Sequence, residues 1–309
     1  MRLIFMGTPD FAIPSLNKLI QSGHEITRVV TAPDKPKGRG RKLSETPVKR
    51  FALEHNLRVL TPVNLKDESF VEALKELPPD LIVVVAFRIL PEVVFSLPPL
   101  GTINLHASLL PKYRGAAPIN WAIMNGETKS GLTTFYIRKK VDTGDTILQK
   151  EIEIHPEENF GELHDRMAQL GADVLIETLD LIEKGEVGAL KQDNAQATPA
   201  PKITPDHCRI DWSREAIQIK NQIRGLAPSP GAFTFYRGKI FKIFKSQVIG
   251  DTPFTDDFGQ VESDKKEEIW IKTGRGFLSL LEIQPEGKRR MSIEEFVRGY
   301  RVKPEEKLG

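Results

Sequence analysis

Leu81-Ile82-Val83-Val84-Val85 is the stretch on which the fold turns. Five successive apolar residues, four of them β-branched, favour an extended strand and leave it no polar face. Such a strand is covered on both sides, as the central strands of parallel sheets are. Outward from it the chain alternates strand-like and helix-like segments. Strands are predicted at residues 3–6, 25–31, 58–60 and 102–106, and helices from residue 10 to 22, then at 48–55, 70–76 and 119–124. This alternation is the mark of βαβ units and a parallel α/β sheet.

Farther along, Leu163, Met167, Leu170, Val174 and Leu181 recur at helical spacing and predict one long helix over 160–184. Pro199, Pro201 and Pro205 then mark a linker within 191–206, which separates a domain of residues 1–190 from one of 207–309. In the second domain a helix is expected over 214–224, capped by Ser213 and stopped by Gly225. Strands at 232–236, 240–244, 268–272 and 278–283 suggest a small antiparallel barrel.

The chain has 309 residues, 39% apolar and 28% charged, enough to build packed cores. No apolar run approaches the roughly 20 residues of a membrane helix, and the first residues lack the pattern of a secretory signal. A single cysteine, Cys208, excludes an internal disulfide and a cysteine-built metal site. A cytoplasmic protein, monomeric and without a membrane partner, is expected. Net charge is +2, but from His207 onward 19 Lys/Arg face 15 Asp/Glu, and seven of those acids lie within 251–268. The rest of that region is basic, which is either a solvated surface or one that meets a polyanion.

Three segments could carry chemistry. Gly7-Thr8-Pro9-Asp10-Phe11 follows the first strand but lacks the further glycines of a dinucleotide site, so it reads as a plain strand-to-helix turn. Residues 34–42 contain Lys35, Lys37, Arg39, Arg41 and Lys42 around two glycines. They form either a solvated loop or a flexible arm that grips a phosphate backbone. In Asn104-Leu105-His106, at the end of a strand, the amide and the imidazole point the same way. That pair suits a developing oxyanion, and histidine exchanges protons near neutral pH. A carboxylate from Val141-Asp142-Thr143-Gly144-Asp145, held near His106, would raise the imidazole pKa or relay the proton itself. No serine elbow and no pair of histidines at metal-ligand spacing is present, so neither a serine acyl-enzyme nor a metal centre is expected.

The segment Asn104-x-His106-x-Ser108-Leu-Leu-Pro-x-Tyr-Arg-Gly115, followed by Val-Asp142-Thr-Gly-Asp145, resembles the active site of the folate-dependent formyltransferase family. The resemblance extends to Met6-Gly-Thr-Pro-Asp-Phe11, to Arg114-Gly-Ala-Ala-Pro-Ile-Asn-Trp121 and to Leu281-Glu-Ile-Gln-Pro-Glu-Gly287. It implies an N-terminal Rossmann-like parallel-sheet domain and a smaller C-terminal OB-like β-barrel domain. It also implies a reaction, in which the formyl group of 10-formyltetrahydrofolate passes to the α-amino group of methionine esterified to initiator tRNA. On the family pattern Asn104, His106 and Asp142 are catalytic. Folate contacts map to Ser108, Leu109, Leu110 and Pro111, and to Ala86, Arg88 and Leu90 at the end of the central strand. Arg88 stands where many relatives have glycine and would place a positive charge near that pocket. The basic loop with the C-terminal domain points to tRNA, through Lys35, Lys37, Arg39, Arg41 and Lys42. The alternatives are a formyltransferase acting on a sugar-nucleotide amine, a hydrolase of the same folate, and a plain nucleic-acid-binding module.

Overall fold

The computed structural model describes residues 1–37, 42–250, 256–262, 268–300, 302–303 and 306–309. The chain divides into two compact units. One comprises Met1–Gly115, Ser130–Glu153 and His164–Ala200, the other Ala116–Lys129, Ile154–Leu163 and Pro201–Gly309.

In the first unit a seven-stranded sheet runs in the order Thr146–Glu153, Lys129–Tyr136, Thr102–His106, Leu81–Val85, Arg2–Gly7, Glu25–Val30, Val59–Leu60. From Thr102–His106 to Val59–Leu60 all neighbours are parallel. Lys129–Tyr136 joins antiparallel. Leu81–Val85 is the central strand and every residue in it is buried, as its unbroken apolar run requires. Ile4, Met6, Ile82 and Val84 pack on one face with Phe70, Leu74 and Val94. Burying each such side chain stabilises the fold by about 1.5–3 kcal/mol relative to leaving it in water.

Close packing, not ligand contact, explains Gly7: a Cβ there would lie 2.8 Å from the Ala12 Cβ and 3.1 Å from the Val85 carbonyl. The helix Phe160–Lys184 approaches the strand Thr102–His106 at Gly171, where a Cβ would lie 2.8 Å from Leu105 Cδ2. Leu105 therefore faces this helix, and strand alternation turns Asn104 and His106 to the opposite face.

Two strands escape the apolar pattern. Lys129–Tyr136 buries Ser130, Thr133 and Thr134, and hydrogen bonds satisfy the threonines: Thr133 donates to the Ser108 carbonyl and Thr134 pairs with Thr178. A polar core strand has no hydrophobic signature. Thr146–Glu153, at the sheet edge, has no fully buried residue. The flanks of the basic loop are not irregular either. Lys35–Lys37 and Lys42–Ser44 form an antiparallel ribbon, with Lys35 opposite Ser44.

Within the proline-rich stretch 191–206, Gln192 is buried, Asn194–Gln196 makes a 3-10 turn, and Pro199–Ala200 pairs in parallel with Arg114–Gly115.

In the second unit the helix spans Ala216–Leu226 and begins at Glu215, whose carboxylate and Gln218 form a capping box. Ser213 does not cap it, because its hydroxyl donates to Asp211. Gly225 does not stop it. Gly225 lies inside the helix because a Cβ there would come within 2.6 Å of Met124 Cγ, on the helix Pro118–Met124. The antiparallel sheet of this unit runs Ala232–Tyr236, Lys239–Ile249, Phe277–Pro285, Trp270–Lys272, Val261–Glu262. The end of the chain joins its two edges. Leu308 bridges Tyr236, Lys307 bridges Gln260, and the curled sheet closes around Ile243, Ile271, Leu280 and Phe296. Among the described residues no helix is long and apolar enough to cross a membrane.

Candidate active site

Asn104 and His106 emerge at the carboxyl end of a parallel strand, the edge on which open α/β sheets build their sites. The His106 side chain is 7% exposed, and its Nε2–H donates to the Tyr113 carbonyl at 2.9 Å. A carbonyl only accepts, so this bond fixes the tautomer and leaves Nδ1 as the free nitrogen. Nδ1 faces Asp142 Oδ2 at 4.0 Å. That separation exceeds a hydrogen bond but lets the carboxylate act on any proton that Nδ1 carries. The Asn104 carboxamide is half-buried and bonded to no described residue, so both its donor and its acceptor are open to a ligand. The structure thus brings Asn104, His106 and Asp142 onto one sheet edge.

Asp142 is held from several directions. Its Oδ2 accepts the Gly115 amide proton at 2.9 Å, and its own backbone adopts φ +52°, which aspartate tolerates better than most residues. Gly115 has φ +128°, and a Cβ would strike the Ala200 carbonyl at 2.5 Å, so only glycine lets this amide reach the carboxylate. Gly144 is equally constrained, because a Cβ would overlap the Tyr136 carbonyl oxygen at 1.6 Å.

The expected folate contacts divide by exposure. Ser108 is fully buried, and its hydroxyl donates to the Lys112 carbonyl at 2.6 Å, so it shapes the turn from within. Leu110 is buried too, with its amide on Thr133 and its carbonyl on Gln149. Leu90 belongs to the core. Ala86, Leu109 and Pro111 present surface to a ligand. Ala86 turns the chain with φ +49°, and among the described residues nothing bonds to the backbone N–H and C=O groups of residues 86–90. Such a strand exit fits the hydrogen-bonding edge of a planar heterocycle, so the residues present suit a pterin. Arg88 is tied to the backbone of residues 62–63. Its guanidinium donates to the Val63 and Pro62 carbonyls at 3.0 and 2.7 Å, and burial pushes its pKa down.

Of the basic-loop residues, Lys35, Lys37 and Lys42 lie on the ribbon, whereas Arg39 and Arg41 fall outside the described residues. Among the described residues no cluster of His, Cys, Asp or Glu stands where it could hold a metal ion. Sequence reasoning missed Gln149 and Thr133, which brace the 108–111 turn, and Gln192 and Thr198, which brace Asp142 and Tyr113. None carries a local signal, because each meets its partner only in the folded chain.

Residues 1–179 match the formyl transferase family and residues 202–301 its C-terminal domain. The methionyl-tRNA formyltransferase of Alkaliphilus oremlandii is 51% identical over 310 residues, spanning 100% of both chains. That of Geobacter sulfurreducens is 46% identical, over 100% of this chain and 97% of the relative. Among solved structures, an N-formyltransferase from Helicobacter canadensis in complex with folinic acid and dTDP-3-aminofucose aligns with a TM-score of 0.68 at 20% identity, covering 94% of this chain and 99% of that one. A methionyl-tRNA formyltransferase from Clostridium thermocellum aligns with a TM-score of 0.56 at 17% identity, covering 81% and 94%. At such identities the structural likeness speaks for the fold alone. The sequence likeness reaches further, since both domain families match and the relatives align over their full length: the chain belongs to the formyl transferase family.

Proposed function

We propose that this chain transfers the formyl group of 10-formyltetrahydrofolate to the α-amino group of methionyl-initiator tRNA. The observation that carries this reading is the end-to-end likeness to methionyl-tRNA formyltransferases, which includes the C-terminal domain. The folate supplies the formyl group, and net transfer moves that group from a folate nitrogen to the amine while one proton passes the other way. On this reading Asn104 donates to the formyl oxygen as negative charge gathers there. His106, with Nε2–H committed to Tyr113, works through Nδ1, and Asp142 compensates the charge of the imidazole when Nδ1 holds the transferred proton. Ala86, Leu109 and Pro111, with the free backbone of residues 86–90, receive the pterin. Formyl chemistry belongs to residues 1–190 and tRNA binding to 207–309 with the basic ribbon, in a monomer working in the cytoplasm.

The direct test offers the purified protein 10-formyltetrahydrofolate with Met-tRNA initiator, Met-tRNA elongator and free methionine in parallel. Formylation of the initiator alone is the expected result. Formate release without formylated tRNA would instead assign the chain to the hydrolases.

The basic segment 34–42 gives a second expectation. Replacing Arg39 and Arg41 with glutamine will weaken tRNA use and reduce the slope of log affinity against log salt by roughly 0.7–0.9 for each phosphate left unneutralised. Folate binding will not change. A slope equal to that of the parent protein would show that these arginines touch no phosphate.

A further inference from the structure

We propose that Gln192 is a positioning residue that locks the Asp142 turn against His106; the inference rests on the formyl-transfer reading above. Gln192 lies in the stretch whose prolines suggest a linker, yet it is only 7% exposed, and both ends of its carboxamide are used. Its Oε1 accepts from Arg114 Nε at 3.1 Å and Nη2 at 2.6 Å. Its Nε2 donates to the Asp142 carbonyl at 3.1 Å and to the Gly144 carbonyl at 2.7 Å. Arginine only donates and carbonyls only accept, so the amide has one orientation.

These hydrogen bonds close a ring. The Asp142 carboxylate takes the Gly115 amide proton, Arg114 is the residue before it, and Arg114 returns through Gln192 to the Asp142 backbone. Asn194 adds a second carbonyl to Arg114 Nη2 at 2.9 Å. Among the described residues Arg114 has no carboxylate partner, so two neutral amides orient it. The turn needs such outside support, because Asp142 sits at φ +52° and Gly144 lies against the Tyr136 carbonyl. A displacement of the turn carries the carboxylate away from Nδ1, where it already stands at 4.0 Å.

Gln192→Glu separates the two ends of the carboxamide. Glutamate keeps the acceptor for Arg114 but has neither donor, and it sets negative charge against two carbonyls. Gln192→Ala removes both ends. The experiment measures kcat and KM for both substrates, together with the Gly115 backbone amide shift by 1H–15N NMR, in both variants. A misplaced catalytic group lowers rate far more than binding, so kcat is expected to fall about 10- to 100-fold in each variant. KM for folate and for tRNA should stay within ~3-fold of the parent. The Gly115 amide resonance should move in both. If Gln192→Glu keeps the parent kcat, or the Gly115 amide does not move, the assignment is overturned. If Gln192→Ala does not fold, Gln192→Glu decides the matter alone. A parent protein that forms no formyl-Met-tRNA would sink the proposed function, whereas the Gly115 amide shift tests Gln192 independently of turnover.

Discussion

Replacing His106 with alanine is expected to lower kcat for formyl transfer by about 10²–10⁴-fold, the usual cost of losing a positioned acid–base group. Asp142→Asn should lose a comparable share. It preserves size and leaves an oxygen for the Gly115 amide, so its loss would isolate the charge from the geometry. Neither side chain lies on the basic ribbon or in the C-terminal unit, so tRNA affinity should remain within ~3-fold of the parent. Single-turnover rates and filter-binding affinities, measured side by side, check both statements. Variants that keep their turnover but no longer bind tRNA would make His106 and Asp142 binding residues. An Asp142→Asn protein as fast as the parent would leave the carboxylate without a role in proton transfer.

Leu308→Ala is expected to destabilise the C-terminal unit by about 2–5 kcal/mol, because it empties a site inside a closed barrel. Leu308 is 4% exposed and lines the interior with Tyr236, Phe241 and Phe296. Its amide donates to the Gly259 carbonyl at 2.8 Å, and the next amide, of Gly309, donates to Phe235 at 3.0 Å. Against a domain stability of roughly 5–15 kcal/mol, that change is large. For a unit of this size it should lower the melting temperature by about 7–18 °C. Differential scanning calorimetry is the measurement. An unchanged midpoint would mean that the chain end does not hold the sheet edges together.

The same closure predicts acid sensitivity. Burial alone would push the Glu306 carboxyl up, but the hydrogen bonds from Arg237 and the Tyr236 hydroxyl outweigh it and hold the group below its usual range. A carboxyl depressed in the folded state adds stability that is present above its unfolded pKa, near 4.5. That stability is lost as pH falls through the folded value. The Tyr236 hydroxyl is pushed up, first by burial and then by its bond to Glu306, so it stays protonated and donating across the ordinary pH range. Glu306→Gln should therefore flatten the acid limb of the stability profile.

Much of the fold is legible in the sequence because its signals are local. The apolar run 81–85 is the central strand, and the helical period over 160–184 coincides with the helix Phe160–Lys184. The common direction of Asn104 and His106 follows from strand alternation alone. Where the signal depended on distant partners, local reading went astray. Gly225 looks like a helix stop, but it is a close-packing residue against Met124, about a hundred positions earlier. The strand Lys129–Tyr136 has no apolar signature that predicts it, and Ser108 and Thr178 satisfy its buried threonines.

The sequence by itself therefore determined the parallel sheet and the strand end that carries Asn104 and His106, since strand and helix periods are written in neighbours. Only the tertiary structure decided what holds those residues still. Gln192 reaches Arg114 from 78 positions away, Thr198 takes the Tyr113 amide from 85, and Glu306 reaches Tyr236 from 70. A hydrogen bond between such residues depends on how the whole backbone closes, and no pattern within a dozen residues records that.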